Sequence, residues 1–157
     1  MIAAIVDFAD LLFCGLLVGA IFGVWLMLQP AGLDASTYVA LQQNAVRALN
    51  NAMPALGGLT ILATVAAAYV AREDRARLLM LVLAAVCLAA AGLVTRFLNQ
   101  PINATVMTWS AVAPPADWTL LRDRWWHWHV VRLTSAVTAF CLIIAAALCR
   151  TGTFAPK

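Results

Sequence analysis

Two arginines, two asparagines and a histidine sit where an apolar chain tolerates them least. Arg96 comes at the end of one long hydrophobic run and Arg132 at the start of another, with Asn99, Asn103, His127 and His129 between them and Thr95 just before. An ionisable group in hydrocarbon is costly, so each such residue is a candidate for function. His129 and Arg132 are three apart and share one face of a helix, whereas His127 must point elsewhere; Arg96 and Asn99 are likewise three apart. If the two runs are antiparallel helices, these groups converge at one depth, and Arg47, Asn50 and Asn51 approach from the start of a further run. The outcome is a small polar pocket walled by Phe97, Trp109, Trp118, Trp125, Trp126 and Trp128.

Each piece also has a plainer reading. The tryptophans form an interfacial belt in many membrane proteins. Arg122 and Arg124 fit solvated or headgroup contacts, and Arg132 has the reach to snorkel. Asp7 and Asp10 share a face at the far end of the first run and read as interfacial or helix-terminal charges, outside the site. Metal binding is unsupported, because histidines two apart cannot chelate from a regular helix and the acids lie elsewhere. One histidine, His129, suffices as an axial ligand of haem b, although no second histidine on another helix makes a bis-histidine pair. Cys14, Cys87, Cys141 and Cys149 all lie in or at the end of apolar stretches without a CxxC, and read as packing residues.

The elements that must position these groups follow from composition. Of 157 residues, 64% are hydrophobic and 11% charged, and the mean hydropathy is +0.90. A soluble domain carries about 45–50% apolar and about 25% charged residues, so lipid is the solvent here. Four stretches approach the roughly 20 apolar residues that cross a bilayer: 2–28, 52–71, 78–98 and 130–149, the last closed by Arg150 and Gly152. The expected fold is all-α, a four-transmembrane-helix bundle in one integral membrane domain, 1–157. Gln29-Pro30 ends the first span. An amphipathic extension, capped at Asp34-Ala-Ser, runs into the second span with a bend at Pro54. Pro101 breaks the third helix, and the Trp-rich connection from Asn99 to His129 is partly helical. The first thirty residues lack the basic start and cleavage site of a signal peptide and are kept as a helix.

No run of Lys or Arg suggests nucleic acid, and the lipid bilayer is the expected partner. Both termini and the Arg72–Arg77 turn lie on one face, with Arg72, Arg75, Arg77, Arg150 and Lys157; against Arg47, Arg122 and Arg124 this favours cytoplasmic termini if Arg96 and Arg132 are set aside as functional, and counting those two makes a tie. Gly- and Ala-rich faces permit close packing within the chain or in a homo-oligomer.

The segment Thr95-Arg-Phe-Leu-Asn99-Gln-Pro101-Ile-Asn103 resembles the Thr…Asn-x-Pro-[Ile/Leu]-Asn signature of the anthrone oxygenase-like membrane proteins. Trp109, Asp117-Trp118, Arg124-Trp125 and His129-Val-Val-Arg132 are similar to the tryptophan-rich stretch that follows in that family. Gly15 to Pro30 and Gln42-Gln43-Asn44…Met53-Pro54 are similar in style to its first two helices. The resemblance implies four membrane helices and an oxidation of anthrones to anthraquinones with dioxygen, a small lipophilic substrate and no cofactor motif. Under it His129 would be the base that removes an acidic ring CH₂ proton, and Arg132, Asn99 and Asn103 would stabilise the oxyanion or superoxide. Arg96, Trp109, Trp118, Trp125 and Asn50 would hold the substrate. A non-catalytic ligand-binding or partner-subunit protein is the alternative from another class, and a haem protein ligated by His129 a third.

Overall fold

Hydrocarbon cannot hydrogen-bond a backbone, so a chain this apolar must satisfy its amides internally. The computed structural model describes residues 1–30 and 32–150, and does so with helices: α1 (Ile2–Met27), α2 (Ala35–Leu49), α3 (Ala52–Val70), α4 (Arg75–Val94), a π turn (Thr95–Asn99), α5 (Gln100–Val106) and α6 (Trp118–Arg150). Gly152 and Lys157 lie outside the described residues. Four stretches are long and apolar enough to cross a membrane, Ile2–Met27, Ala52–Val70, Arg75–Val106 and Trp118–Arg150. The chain is a multi-pass membrane protein built as a four-helix bundle.

The spans form a ring in which α1 packs on α3 and α6, and α4 on α3 and α6. Their buried positions step by three and four: Asp7, Asp10, Cys14, Leu17, Ile21 and Val24 on α1, and Arg77, Leu81, Ala84, Leu88 and Ala91 on α4. That 3.5-residue repeat is the seam of a left-handed bundle. Ala136, Ala139 and Ala146 on α6 meet Ala84 and Ala91 in the same core, where small side chains let backbones approach. Outward-facing Leu62, Val86, Leu93 and Phe97 are exposed, as lipid-facing positions should be.

The third span does not end at Pro101. Thr95–Asn99 widens to a π turn, in which the Gln100 N–H reaches back to the Thr95 carbonyl, and the helix then continues to Val106. Proline lacks the N–H that a regular turn would need, and the wider turn absorbs the defect without breaking the rod. Nor does the fourth span begin at Val130. Its helix starts at Trp118 and runs 33 residues, about 50 Å at 1.5 Å per residue against a hydrocarbon core of about 30 Å. Most of the Trp-rich connection is therefore helix, and α6 is longer than a hydrocarbon core is thick.

Beside the start of α6, α2 packs on α5, making a small head on the bundle. Asp34 caps α2 by accepting from the Thr37 N–H at 2.9 Å, as the Asp-Ala-Ser start predicts. Gly32, with φ +106°, turns the chain between α1 and α2 in a conformation that glycine adopts without strain. The α2–α3 break falls at Asn50–Asn51, and Pro54 sits in the first turn of α3, where a missing N–H costs little.

The opposite end corrects the reading of the acids. Asp7 and Asp10 are buried, and Arg77, counted above as a surface cation, is buried with them. Arg77 donates to both Asp7 oxygens at 3.1 Å, Arg150 reaches Asp7 Oδ2 at 2.6 Å, and the Thr64 hydroxyl donates to Asp10 at 2.7 Å. A charge among helices in lipid needs such partners.

Candidate functional site

Where the head meets the bundle, all four spans and α2 enclose a cavity of about 330 Å³, at the low end of the usual size for a small-molecule site. Its wall repeats at helical spacing: Leu17, Ile21, Val24 and Leu28 from α1; Gln42, Ala45, Leu49, Met53, Gly57 and Ile61 from α2 and α3; Leu88, Ala91, Thr95 and Asn103 from the third span; Trp125 and Arg132 from α6. The lower wall is aliphatic. The roof is polar, with Arg132, Arg96, Asn103, Gln42, Gln100 and Asn50, and among the described residues it includes no carboxylate.

Arg132 is fixed from two sides. Its Nε and Nη2 lie 3.1 and 2.7 Å from His129 Nδ1, and its Nη1 lies 3.5 Å from the Thr95 hydroxyl. Arginine is only a donor, so Nδ1 must be the acceptor and the imidazole proton sits on Nε2, which has no hydrogen-bond partner among the described residues. The ring stacks on Trp125 with centroids 4.8 Å apart and lies 6.0 Å from that of Trp126. The spacing of His129 and Arg132 thus does place them together, while His127 is exposed.

Asn103 joins three elements through one oxygen. Its Oδ1 accepts from Gln42 Nε2 at 2.9 Å and from Trp125 Nε1 at 2.8 Å. Asn99, fully buried in the π turn, donates to the Trp125 carbonyl at 3.1 Å. Gln100 donates to Asn50 at 3.1 Å, tying the α2–α3 corner to α5. Gln43 covers the open end of α5, donating to the Val106 and Trp109 carbonyls at 3.0 and 2.8 Å, a service that helix ends require. Two buried oxygens here, Gln42 Oε1 and Asn99 Oδ1, have no hydrogen-bond partner among the described residues. Such atoms cluster where a ligand completes the network.

The expected residues therefore divide. Arg132, Asn103, Arg96, Trp125 and Asn50 line the cavity; His129 and Asn99 do not, and stand behind it holding Arg132 and Trp125. Arg96 and Asn99 do not share a face, because the π turn between them alters the register: Asn99 is buried and Arg96 exposed. Trp109 packs in the head. Trp118 lies against Tyr38 of α2 at 5.4 Å and under Arg122 at 4.7 Å, so it clamps α2 rather than walling the cavity. Burial around this clamp pushes the Tyr38 phenol up, only partly offset by Arg122, and the ring stays neutral. Phe97 is exposed to lipid, while Trp126 and Trp128 pack in the head. Gln42 lines the cavity as well, and its spacing from Leu49, Met53 and Gly57, one helical face through the α2–α3 corner, is the signal for it in the sequence.

Neither a curated protein nor a solved structure gives a match to the chain. The sequence model described as anthrone oxygenase matches residues 43–142, a stretch that runs from Gln43 in the head to the core of α6 and contains the π turn, the Asn103 junction and the Arg132–His129 pair. With a match over more than half its length, the chain belongs to the anthrone oxygenase family.

Proposed function

We propose that the protein is a membrane oxygenase that uses dioxygen to oxidise a lipophilic aromatic of the anthrone or quinol type, and the reaction steps are those of an anthrone with its acidic ring CH₂. The observation that carries this reading is Arg132: a cation held at the polar end of an aliphatic cavity, facing the place where a flat substrate's oxygen would lie. An anthrone loses a CH₂ proton to become a delocalised phenolate, and a fixed guanidinium in a dry site favours that anion.

The balance closes without a further reductant. The base takes one C–H proton, and the carbanion gives an electron to dioxygen. The radical pair then forms a C–O bond. The peroxide loses its O–O bond together with the second C–H proton, leaving a carbonyl and one water. Resting His129 cannot act as the base, since its Nδ1 lone pair is engaged by Arg132. When Arg132 turns its donors to the substrate oxygen, Nδ1 is released, and because His129 stands behind the cavity wall a water in the vacated space relays the C–H proton to it. Asn103 and Gln42 orient the oxygen at the roof, and Trp125 supplies the flat wall.

The reading needs no cofactor. A haem on His129 fits the packing poorly, with one ring nitrogen engaged by Arg132 and the ring off the cavity wall; an absorption spectrum of the purified protein checks this, a Soret band restoring haem. The decisive assay is oxygen uptake by protein in lipid nanodiscs with anthrone, corrected for protein-free autoxidation. One atom of labelled dioxygen is expected in the quinone and one in water. Uptake no faster than in empty nanodiscs, or unchanged in Arg132→Gln, overturns the oxygenase; tight binding without turnover leaves a ligand-binding protein.

A further inference from the structure

The cavity's walls are uneven in a way that bears on how it fills. Toward α6 and α1 it is closed by Trp125, Arg132 and aliphatic side chains. Between α3 and α4 it is bounded by glycine: Gly58 and Gly92 both line it, both are exposed, and a Cβ built on either meets nothing within 4 Å. Their sequence neighbours Leu59 and Leu93 are exposed at 49% and 58%, so this seam lies at lipid depth. Directly above it on the third span is Arg96, exposed and still part of the cavity lining. One helical turn separates Gly92 from Arg96.

We infer that the cavity takes its ligand sideways from the membrane through the seam between α3 and α4, as a flat lipophile carrying an anionic oxygen, and that Arg96 at the lip selects for that charge. Lipid-dissolved aromatics concentrate in the bilayer, and a portal without side chains lets a flat ring pass edge-on. Among the described residues the lining holds two guanidiniums, Arg96 and Arg132, and no carboxylate, a field that favours an anion and disfavours a cation. Arg96 meets the oxygen at the interface and Arg132 receives it inside. The inference rests on the cavity being a ligand site, as the oxygenase reading also requires, but it does not depend on turnover.

The test measures binding, so a failure of catalysis leaves it intact. Protein in nanodiscs is mixed with anthracene-9-carboxylate or the neutral 9-anthracenemethanol, and association and release are followed by fluorescence. In Gly58→Leu and Gly92→Leu association and release are both expected to slow, release included even though a leucine in the lining also takes some of the ligand's space. Gly23→Leu, on an exposed face of α1 where a Cβ also meets nothing, controls for bulk in lipid and should bind as the parent does. Arg96→Gln is expected to cut the preference for the carboxylate about tenfold, the worth of one charge-assisted hydrogen bond, with Arg96→Lys retaining most of it. Unchanged rates in both leucine variants, or weakened affinity with no slowing of release, overturn the lateral portal. An unchanged carboxylate preference in Arg96→Gln overturns its role. Failure of the parent to bind either probe overturns the site itself, and with it the reading it shares with the oxygenase.

Discussion

His129 Nδ1 accepts from Arg132 at 2.7 and 3.1 Å, one helical turn away on α6. That contact makes the histidine a positioning residue for the cavity's cation before it is anything else. His129→Phe keeps a ring against Trp125 and removes the acceptor. Charge-assisted hydrogen bonds are worth roughly 1.5–3 kcal/mol, so kcat with anthrone should fall by about 10- to 150-fold. His129→Gln offers a side-chain oxygen in place of Nδ1 and should recover part of the loss. If His129→Phe turns over like the parent, the pair has no catalytic consequence.

Asn103 carries the head on one oxygen, and its removal strands two donors, Gln42 Nε2 and Trp125 Nε1. A buried donor left unsatisfied costs about 1–3 kcal/mol, so Asn103→Leu should lower stability in detergent by about 2–6 kcal/mol and loosen α2. Asn103→Asp keeps an acceptor for both donors. It should fold, yet weaken binding of an anionic probe by placing a carboxylate on the roof. Chemical denaturation and probe titration separate the two effects, and equal stability of parent and Asn103→Leu would dismiss the junction.

Gly57 lines the cavity, and a Cβ there meets nothing within 4 Å. Gly57→Phe should therefore occupy the ligand's space without straining the helix, since replacing a helical glycine generally gains up to about 1 kcal/mol. The expected result is a thermal midpoint at or above the parent's, with substrate binding lost. Retained binding would mean that the ligand lies elsewhere.

The bundle was legible because length and hydropathy decide what lipid accepts, and the Asn99–Arg132 block was legible because polar groups stand out against it. What stayed hidden has a common cause. Along α1 and α4 almost every residue is apolar, so the buried 3.5-residue stripe cannot be told from the lipid face by hydrophobicity. Only Asp7, Asp10 and Arg77 mark it, and they read equally well as surface charges until Thr64 and Ala146 are seen beside them. The π turn was invisible for a different reason. Pro101 signals a defect, but whether a helix breaks or widens depends on neighbours, here the Asn99 bond to the Trp125 carbonyl. Register on either side of that turn decided which of Arg96 and Asn99 reached the cavity. The long start of α6 was hidden because Arg122, Asp123 and Arg124 make Trp118–His129 look like a loop to any test of apolar length.

Asp34 gives the head its acid limit. Its carboxylate accepts from the Thr37 N–H first, then from the Ser36 and Thr37 hydroxyls, and these bonds hold it well below the usual carboxylate range. A depressed folded-state pKa contributes stability that is complete above the unfolded value of about 3.9 and disappears as pH falls through the folded one. The first turn of α2 should thus be unchanged from neutral pH to about 5 and melt in stronger acid. Asn is also a good cap, so Asp34→Asn should retain the turn and lose the acid transition. Amide chemical shifts of Ser36–Tyr38 against pH report both, and an acid transition persisting in Asp34→Asn would assign it to another group.

The far end of the bundle holds the strongest test of how the spans are tied. Arg77 bridges α4 to α1 through both Asp7 oxygens and to α6 through the Ala146 carbonyl, at 3.0 Å. Side-chain exposure is 8% for Arg77 and 9% for Asp7, against 37% for Arg150, which shares the same carboxylate. Breaking a buried pair leaves an uncompensated charge and costs about 3–5 kcal/mol, whereas a partly exposed pair is worth about 1 kcal/mol or less. Asp7→Leu, which strands the buried Arg77, should destabilise by the larger amount, Arg77→Met by less because Arg150 still holds the carboxylate, and Arg150→Ala by the smaller. Replacing both buried partners removes the stranded charge, so Asp7→Leu with Arg77→Met should be markedly more stable than the sum of the singles implies. Reversible unfolding in mixed micelles supplies the four free energies. Additive losses would mean that the two charges are solvated independently, and a loss in Arg150→Ala as large as in Asp7→Leu would shift the weight of the tie from α4 to the end of α6.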